Sequence, residues 1–292
     1  MLRFLCCAMI AGSAMAQQFH IDHVTVAGKS VAAMQKALRE AGLQSEFGGP
    51  HSNHATEMAL ASFPDGSYLE LIGIQPEADP AAFAAHYWHK FMEADAGPCA
   101  WAIRPADFAS EVERLRGAGV AVSGPHKSGR QRPDGVQLAW ETAQVGPTNG
   151  GFFPFMIHDF TPREKRAFPS GKPTATKWTG VEKIVIGVSD LDAAIARYEK
   201  AYRLPAPERQ EDAEFGAALA WFRGTPVVLA APLSSESWLS ARIREFGDAP
   251  CAFVLGAHAM GVNGPAPARW FGATILWANA ERLGWHLGFQ PQ

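Results

Sequence analysis

The chain has 292 residues, of which 47% are hydrophobic and 19% are charged, and its formal net charge is −3. This length predicts about two compact domains rather than one. The composition excludes large disordered regions, and the slightly acidic balance excludes the strongly basic face of a nucleic-acid-binding protein.

Residues 1–16 predict a secretory signal peptide. Arg3 supplies a positive charge, residues 4–11 are apolar, and the A-x-A sequence at 14–16 is a cleavage site. The apolar run is well below the ~20 residues that a membrane-spanning helix needs. We therefore expect an exported protein, periplasmic or secreted, with no membrane attachment after cleavage.

The mature chain opens with a strand followed by a helix. Residues 21–26 alternate apolar and polar side chains, which is typical of a half-buried strand, and His23 stands on the face opposite its valine neighbours. Residues 31–41 carry apolar side chains at helical spacing. Strand patterns return at 56–63 and 68–74, so this unit is predicted to run strand, helix and a meander of strands.

A second unit follows an alanine-rich connector. The connector has a predicted helix around residues 83–92. The next strand is predicted at 99–103 and the next helix at 108–118, and further strand patterns follow before residue 160. Residues 166–178 are rich in proline, lysine, serine and threonine, which predicts a linker.

The pattern repeats along the chain. A shift of 160 residues aligns 21–26 with 181–186, and a shift of 152 residues aligns 97–103 with 249–255. Two matches in the same order predict a pair of units duplicated in tandem, with an abbreviated fourth unit. Cys99 and Cys251 fall at equivalent positions in different units, and we interpret both as buried free thiols.

The order of these segments resembles the vicinal oxygen chelate superfamily, specifically its glyoxalase-like branch. The residues that carry the resemblance lie at 21–24, 48–51, 68–72, 130–136, Trp140, 154–157 and 187–192. The resemblance implies an α+β fold of tandem βαβββ modules that pair into two curved mixed sheets. It implies a glyoxalase-like domain of two modules at 17–165 and a second domain, one module plus a degenerate one, at 179–292.

In this superfamily a divalent metal often lies at the base of the cup that two modules form. Its typical ligands are a histidine on the first strand of a module and a glutamate on the last, and His23 and Glu70 match these positions. The resemblance thus implies one divalent metal here, and a metal-free polar role for the pair stays equally open. The corresponding positions in the second and third modules are poor ligands: Ala100, Phe155, Lys183 and Val228.

Three further residues complete the predicted site. His51, in a glycine-rich loop, could be a third ligand, a general base or a substrate contact, because imidazole titrates near neutrality. Arg132, like Arg130, could clamp a carboxylate or phosphate of the ligand, and pairing with Asp134 to fix the loop is equally open. Trp140 would give the ligand an apolar wall.

These observations leave functions of different classes open. The first is a lyase, isomerase or dioxygenase that acts on a small oxygenated substrate in the N-terminal cup, with Glu70 and His51 as catalytic residues. The second is a small-molecule-binding protein that has lost catalysis together with the full metal site. A third is self-association into a homo-oligomer through an apolar C-terminal face, anchored by Trp270, Phe271 and Trp277.

Overall fold

A computed structural model describes residues 19–146, 151–258, 267–278 and 283–292. The predicted signal peptide lies outside these residues. Within them, sixteen strands form two eight-stranded sheets. In this part of the chain no helix is both long and apolar enough to cross a membrane.

The first sheet is built from two modules around a central strand pair. Its strands are β1 (Ile21–Ala27), β2 (Glu46–Pro50), β3 (Thr56–Ser62), β4 (Tyr68–Ile74), β5 (Gly97–Ile103), β6 (Val122–Gln131), β7 (Gln137–Val145) and β8 (Phe155–Asp159). Their order is β2-β3-β4-β1-β5-β8-β7-β6. The central strands β1 and β5 are antiparallel, whereas β1 is parallel to β4 and β5 is parallel to β8.

The second sheet repeats this arrangement. Its strands are β9 (Trp178–Gly187), β10 (Glu208–Asp212), β11 (Ala217–Trp221), β12 (Val227–Pro232), β13 (Ala249–Ala257), β14 (Ala268–Trp270), β15 (Ala273–Trp277) and β16 (His286–Pro291). Their order is β10-β11-β12-β9-β13-β16-β15-β14. The predicted α+β fold with two curved mixed sheets is therefore confirmed.

Helices cross from the first to the second strand of three modules. They are α1 (Val31–Glu40), α4 (Phe108–Gly117) and α6 (Leu191–Tyr202). The side chains of Ser30, Asp107 and Asp190 each accept a hydrogen bond from a backbone amide in the first turn, which satisfies one of the unpaired N–H groups there. The apolar faces of these helices pack on the strands in one buried cluster that spans both sheets.

The connector between the first two modules differs from its prediction. It forms two short helices, α2 (Pro80–Ala84) and α3 (His89–Glu93), instead of one helix over 83–92. The chain turns at the intervening residues 85–88. This turn places His86 and Trp88 beside a cavity on the first sheet.

Two other segments join the halves of the molecule. The short helix α5 (Arg163–Ala167) follows β8 and overlaps the start of the predicted linker. The helix α7 (Trp238–Phe246) precedes β13. Cys99 on β5 and Cys251 on β13 are free and buried, as predicted.

Arg242 on α7 ties the halves together through backbone carbonyls. Its Nη1 donates to the Ala96 carbonyl at 2.7 Å, and its Nη2 donates to the carbonyls of Pro250, at 2.9 Å, and Pro98. The guanidinium lies 5.3 Å from the ring centre of Phe246. The Arg242 side chain therefore donates hydrogen bonds to the backbone at the beginnings of both β5 and β13.

We expect Arg242→Met to lower the free energy of unfolding by about 1–3 kcal/mol, because several buried carbonyls lose their donor. Urea unfolding followed by circular dichroism measures the change. Arg244→Met is the matched control: among the residues that the structure describes, this exposed arginine on the same helix donates to the Ser235 carbonyl alone, at 3.2 Å. Equal effects of the two substitutions would contradict the role given to Arg242.

Candidate functional site

Three of the predicted residues meet on one face of the first sheet. A carboxylate oxygen of Glu70 on β4 lies 3.7 Å from Nε2 of His23 on β1, and the other lies 3.6 Å from Nε2 of His51. Strand pairing sets Thr25 opposite Glu70, and the Thr25 hydroxyl donates to the carboxylate at 3.3 Å. The carboxylate is therefore placed between two imidazoles.

The far nitrogen of each imidazole is held by another side chain. Nδ1 of His23 lies 2.5 Å from a carboxylate oxygen of Asp22, and Nδ1 of His51 lies 2.8 Å from the Thr56 hydroxyl. Because an ionised carboxylate can only accept hydrogen bonds, Nδ1 of His23 carries a proton. Both rings are thereby oriented with Nε2 towards Glu70.

Asp22 reaches the side of His23 through a β-bulge. The pairing of β1 with β5 shifts register between Ile21 and His23, so the Asp22 side chain does not follow simple alternation. Asp22 is fully buried and receives hydrogen bonds from Arg166, at 2.9 Å to each oxygen, and from Arg163 at 3.0 Å. Burial alone would raise its pKa, but Arg166 and the hydrogen bond with His23 hold the pKa of Asp22 well below its ordinary value.

Arg166 is fully engaged. Besides the two bonds to Asp22, it donates to both oxygens of Asp159, at 2.6 and 2.7 Å, and to the Tyr68 hydroxyl. These contacts use all of its N–H donors. The Tyr68 ring stacks on His23, with centroids 4.8 Å apart and planes 7° from parallel. Sequence reasoning missed Arg166 because it is the first residue of the predicted linker.

A cavity of about 330 Å³ opens over these groups. Trp140, predicted as an apolar wall, lines it, and so do Trp88 and Phe155. The volume is at the lower end of the range for ligand pockets, and the combination of aromatic walls with a few converging polar groups is typical of such sites. The cavity therefore suits a small organic molecule.

The two candidate arginines lie in different places. Arg132 is not in the cavity wall: its guanidinium donates to Asp134 at 2.8 Å and to the carbonyls of Lys165, at 2.7 Å, and Pro169. Arg130 does line the cavity, and it is 6% exposed. The pairing of Arg132 with Asp134 that fixes the loop is thus observed, and Arg130 is the arginine that faces the ligand space.

The connector contributes a third imidazole, which sequence reasoning also missed. His86 lines the cavity, and its Nδ1 accepts a hydrogen bond from the Trp88 backbone amide at 3.2 Å. Burial, and then the charge of His51, lower the pKa of His86 to about 4, so His86 is neutral near pH 7. The run of aromatic and histidine residues at 86–89, inside an alanine-rich segment, was the available signal.

The site holds a carboxylate that stays ionised. Burial alone would raise the pKa of Glu70, but the adjacent imidazoles of His51 and His23 and the hydrogen bond from the Thr25 hydroxyl lower it from 4.5 to about 2. A carboxyl with so low a pKa is a weak base near neutrality, where an imidazole is better matched to proton transfer. The His51 side chain is 20% exposed and that of His23 only 5%, so His51 is the imidazole that a ligand reaches more easily.

The pairing of the strands shows which residues of the second module are equivalent to His23 and Glu70. The resemblance implies that further metal ligands would stand at these equivalent positions. Thr25 pairs with Glu70 and, in the second module, Ala102 pairs with Phe155, so Phe155 is the counterpart of Glu70. By the same register the counterpart of the β1 histidine is Ala100. Half of the ligand positions of this cup are therefore apolar.

The residues present do not fit a resident divalent metal. Among the described residues, no group of three or more histidine, cysteine, aspartate or glutamate side chains is arranged to hold a metal ion. The Phe155 ring approaches His23 edge-on, with centroids 5.3 Å apart, where a further ligand would stand. His23 and Glu70 stand at the implied metal positions, but among the described residues they and His51 are not arranged around one point as metal ligands would be.

The corresponding face of the second sheet is filled by its own side chains. Lys183, the counterpart of His23, is 7% exposed and lies 5.3 Å from the ring centre of Trp221. Trp270 is completely buried and Trp277 packs against it, with centroids 5.3 Å apart. The expectation that Trp270 anchors an exposed association face is therefore wrong, because this ring belongs to the core of the second half.

We expect Glu70→Gln to flatten the acid side of the stability curve. The folded-state pKa of Glu70 is about 2, against an ordinary value of 4.5 in the unfolded chain. The unfolded chain thus binds a proton first, and the stabilisation by ionised Glu70 is complete above pH 4.5 and is lost as the pH falls towards 2. The slope is at most about 1.4 kcal/mol per pH unit.

Urea unfolding at several pH values from 6 down to 3 measures this difference. The slope of stability against pH below 4.5 should be shallower in Glu70→Gln than in the wild type. Glu40→Gln, at an exposed position on α1, is the control and should keep the wild-type slope. Identical slopes in all three proteins would show that Glu70 is not held ionised by its histidines.

Comparison with known proteins agrees with this architecture. The family model described as a glyoxalase-like domain matches residues 21–202. A hypothetical protein from Staphylococcus aureus is 12% identical, with a TM-score of 0.66 over 94% of this chain and 100% of that chain. A mutant of 4-hydroxymandelate synthase from Streptomyces coelicolor is also 12% identical, with a TM-score of 0.56 over 94% of this chain and 92% of that chain.

A shorter structure matches part of the chain. Methylmalonyl-CoA epimerase from Mycobacterium tuberculosis is 19% identical, with a TM-score of 0.34 over 40% of this chain and 90% of that chain. The comparison with curated proteins gave no match. The family model covers more than half of the residues, and the similar structures of comparable length share the fold. The chain belongs to the glyoxalase-like domain family.

Proposed function

We propose that this protein is an exported enzyme of the vicinal oxygen chelate type that moves a proton on a small oxygenated substrate in its N-terminal cup. One observation carries the proposal: the Glu70 carboxylate lies 3.6–3.7 Å from Nε2 of His51 and of His23, on the wall of a cavity. Side chains that can hold a proton therefore surround one ligand space.

We assign the proton transfer to His51 with Glu70 as its partner. His51 is anchored through Nδ1 by the Thr56 hydroxyl, and its Nε2, 3.6 Å from a Glu70 oxygen, is the nitrogen that would take the proton from the substrate carbon. The imidazolium formed in this way would lie beside the Glu70 carboxylate, whose negative charge stabilises the charged form of the base. His23, held by Asp22, closes the other side of Glu70.

The chemistry is proposed to need no resident metal. Ala100 and Phe155 stand at the remaining ligand positions and can bind no cation. A positive charge that faces the ligand space comes instead from Arg130, which lines the cavity. Proton abstraction next to a carbonyl group fits these parts, because the base and a cation share one enclosed space.

The alternative function is a binding protein without turnover. It rests on the same cavity, and it predicts that ligands stabilise the fold by an amount set by their concentration and affinity alone. The ordered contacts of His23 and His51 favour the enzyme, since a binding wall has no need of imidazoles fixed through one nitrogen and aimed at a carboxylate with the other.

Deuterium exchange in D₂O tests proton transfer directly. We expect the wild-type protein to speed the exchange of C–H groups next to the carbonyl in some of a panel of small ketones and 2-oxo acids, followed by NMR. Glu70→Gln and His51→Gln should each slow this exchange about 10²-fold or more, the usual contribution of a positioned acid or base. His158→Gln, at an exposed histidine outside this cavity, should leave it unchanged.

The same assay separates the alternatives. Exchange that survives dialysis against a chelator supports the metal-free site, whereas loss of exchange and its recovery with a divalent cation would restore the metal role of His23 and Glu70. Binding of panel members without any exchange above the buffer rate would instead show a small-molecule-binding protein.

Export is a separate part of the proposal, and its support is the pattern of residues 1–16. We expect the mature protein to begin at Gln17, as read by mass spectrometry of the N-terminal peptide from the exported fraction of a bacterial host. Ala16→Tyr should block the cleavage, because signal peptidase sites need a small residue there. An uncut chain that stays inside the cell would refute export.

A further inference from the structure

Arg130 is a buried cation that lacks an acidic partner in the described part of the chain. It is 6% exposed, and its one hydrogen bond there runs from Nη1 to the Gly48 carbonyl at 2.7 Å. None of the ion pairs within 4.0 Å includes it. A guanidinium carries five N–H donors, so most of its hydrogen-bonding capacity is unused. An unpaired buried charge is costly, which calls for a compensating group.

Arg166, which lines the same cavity, differs from Arg130 in its hydrogen bonds. Both arginines line the same cavity, but Arg166 donates to Asp22, Asp159 and Tyr68 and has no donor left. Arg166 therefore serves the framework of the site. Arg130 has donors to spare, and its charge is not balanced by a carboxylate in contact with it.

The backbone holds Arg130 in a fixed place over the cavity. Its bond to the Gly48 carbonyl joins β6 to β2, the two edge strands of the first sheet. A second bond between these parts of the chain runs from the Ser52 hydroxyl to the Gly129 carbonyl, at 3.2 Å. The curved sheet is thus closed at this seam, and the guanidinium is positioned by it rather than by a salt bridge.

The geometry points to a substrate with a carboxylate group, which pairs with Arg130 while its reacting carbon lies beside Glu70 and His51. The position of the reacting carbon in this inference rests on the proposed function. The position of the substrate carboxylate rests on Arg130. One guanidinium that no carboxylate of the described chain contacts, in a cavity of about 330 Å³, matches a single negative charge, which favours a carboxylate over a phosphate dianion. Trp140 and Phe155 would receive the apolar part of the molecule.

Matched acid and amide probes test this assignment by calorimetry. The pairs are benzoate and benzamide, phenylacetate and phenylacetamide, and 3-phenylpropanoate with its amide, which differ mainly in charge. We expect the acids to bind the wild-type protein roughly ten- to hundredfold tighter than their amides, the size of a charge-assisted hydrogen bond.

Substitutions show which residue causes the tighter binding of acids. Arg130→Met should abolish it, and Arg130→Lys should keep part of it, because the charge stays and the forked geometry is lost. Arg132→Met removes the same charge two residues further along the chain, outside the cavity wall, and should keep the full preference. Circular dichroism of each variant confirms folding, and the lysine variant keeps the test decisive if the methionine variant does not fold.

Three outcomes would overturn the inference: equal binding of acids and amides, no binding of any acid, or a preference that survives in Arg130→Met. The result is separable from the proposed function. Deuterium exchange on neutral ketones without any acid preference would reject the carboxylate alone. An acid preference that depends on Arg130, without exchange on any probe and unchanged in Glu70→Gln, would reject the enzyme and keep the anion site.

Discussion

The buried ion pair between Asp22 and Arg166 is the contact on which the site depends. The two residues are 144 positions apart, and the guanidinium contacts both carboxylate oxygens at 2.9 Å. A buried carboxylate without a partner is strongly destabilising, so the chain after β8 has to fold back onto β1 before the second sheet begins. Asp22 in turn fixes the tautomer of His23. The geometry around Glu70 is therefore set partly by a segment outside the sheet that carries it.

The two sheets have the same strand pairing, but they carry different side chains at equivalent positions. The register that places Thr25 opposite Glu70 places Val185 opposite Val228 in the second sheet. One backbone position thus recurs in all four modules, occupied by Glu70, Phe155, Val228 and Gly288. The strands pair in the same way whichever side chain stands at this position. The first cup holds an ionised group and a cavity, and the second is filled with aromatic rings.

Local sequence patterns were sufficient for the modules and for part of the site. Alternation along strands put His23 and Glu70 on the correct face, since parallel neighbours of known register bring such residues together. The patterns could not reveal Asp22, which a β-bulge turns towards His23, or Arg166, which lies in a segment with the composition of a linker. Nor could they show that His86 reaches the cavity, because this depends on a turn within a predicted helix. Each of these three residues joins the site through contacts with residues distant in sequence. Such contacts leave no periodic pattern in the local sequence.

Under the proposed function, the charged and polar groups of the cup would take over the two tasks of a metal ion. In a metal-bound cup a dication keeps the carboxylate ionised and attracts substrate oxygens. Here imidazoles lower the pKa of Glu70 to about 2, and Arg130 supplies the free positive charge, so the two tasks are divided between separate residues. A fixed cation and a proton-carrying imidazole favour reactions in which a proton moves and an anionic group is held still. They offer no counterpart to the open coordination positions at which a metal would bind two substrate oxygens together. Under the proposed function, the apolar residues Ala100 and Phe155 would therefore do more than remove metal ligands: they would leave the cup suited to acid–base chemistry rather than to chelation.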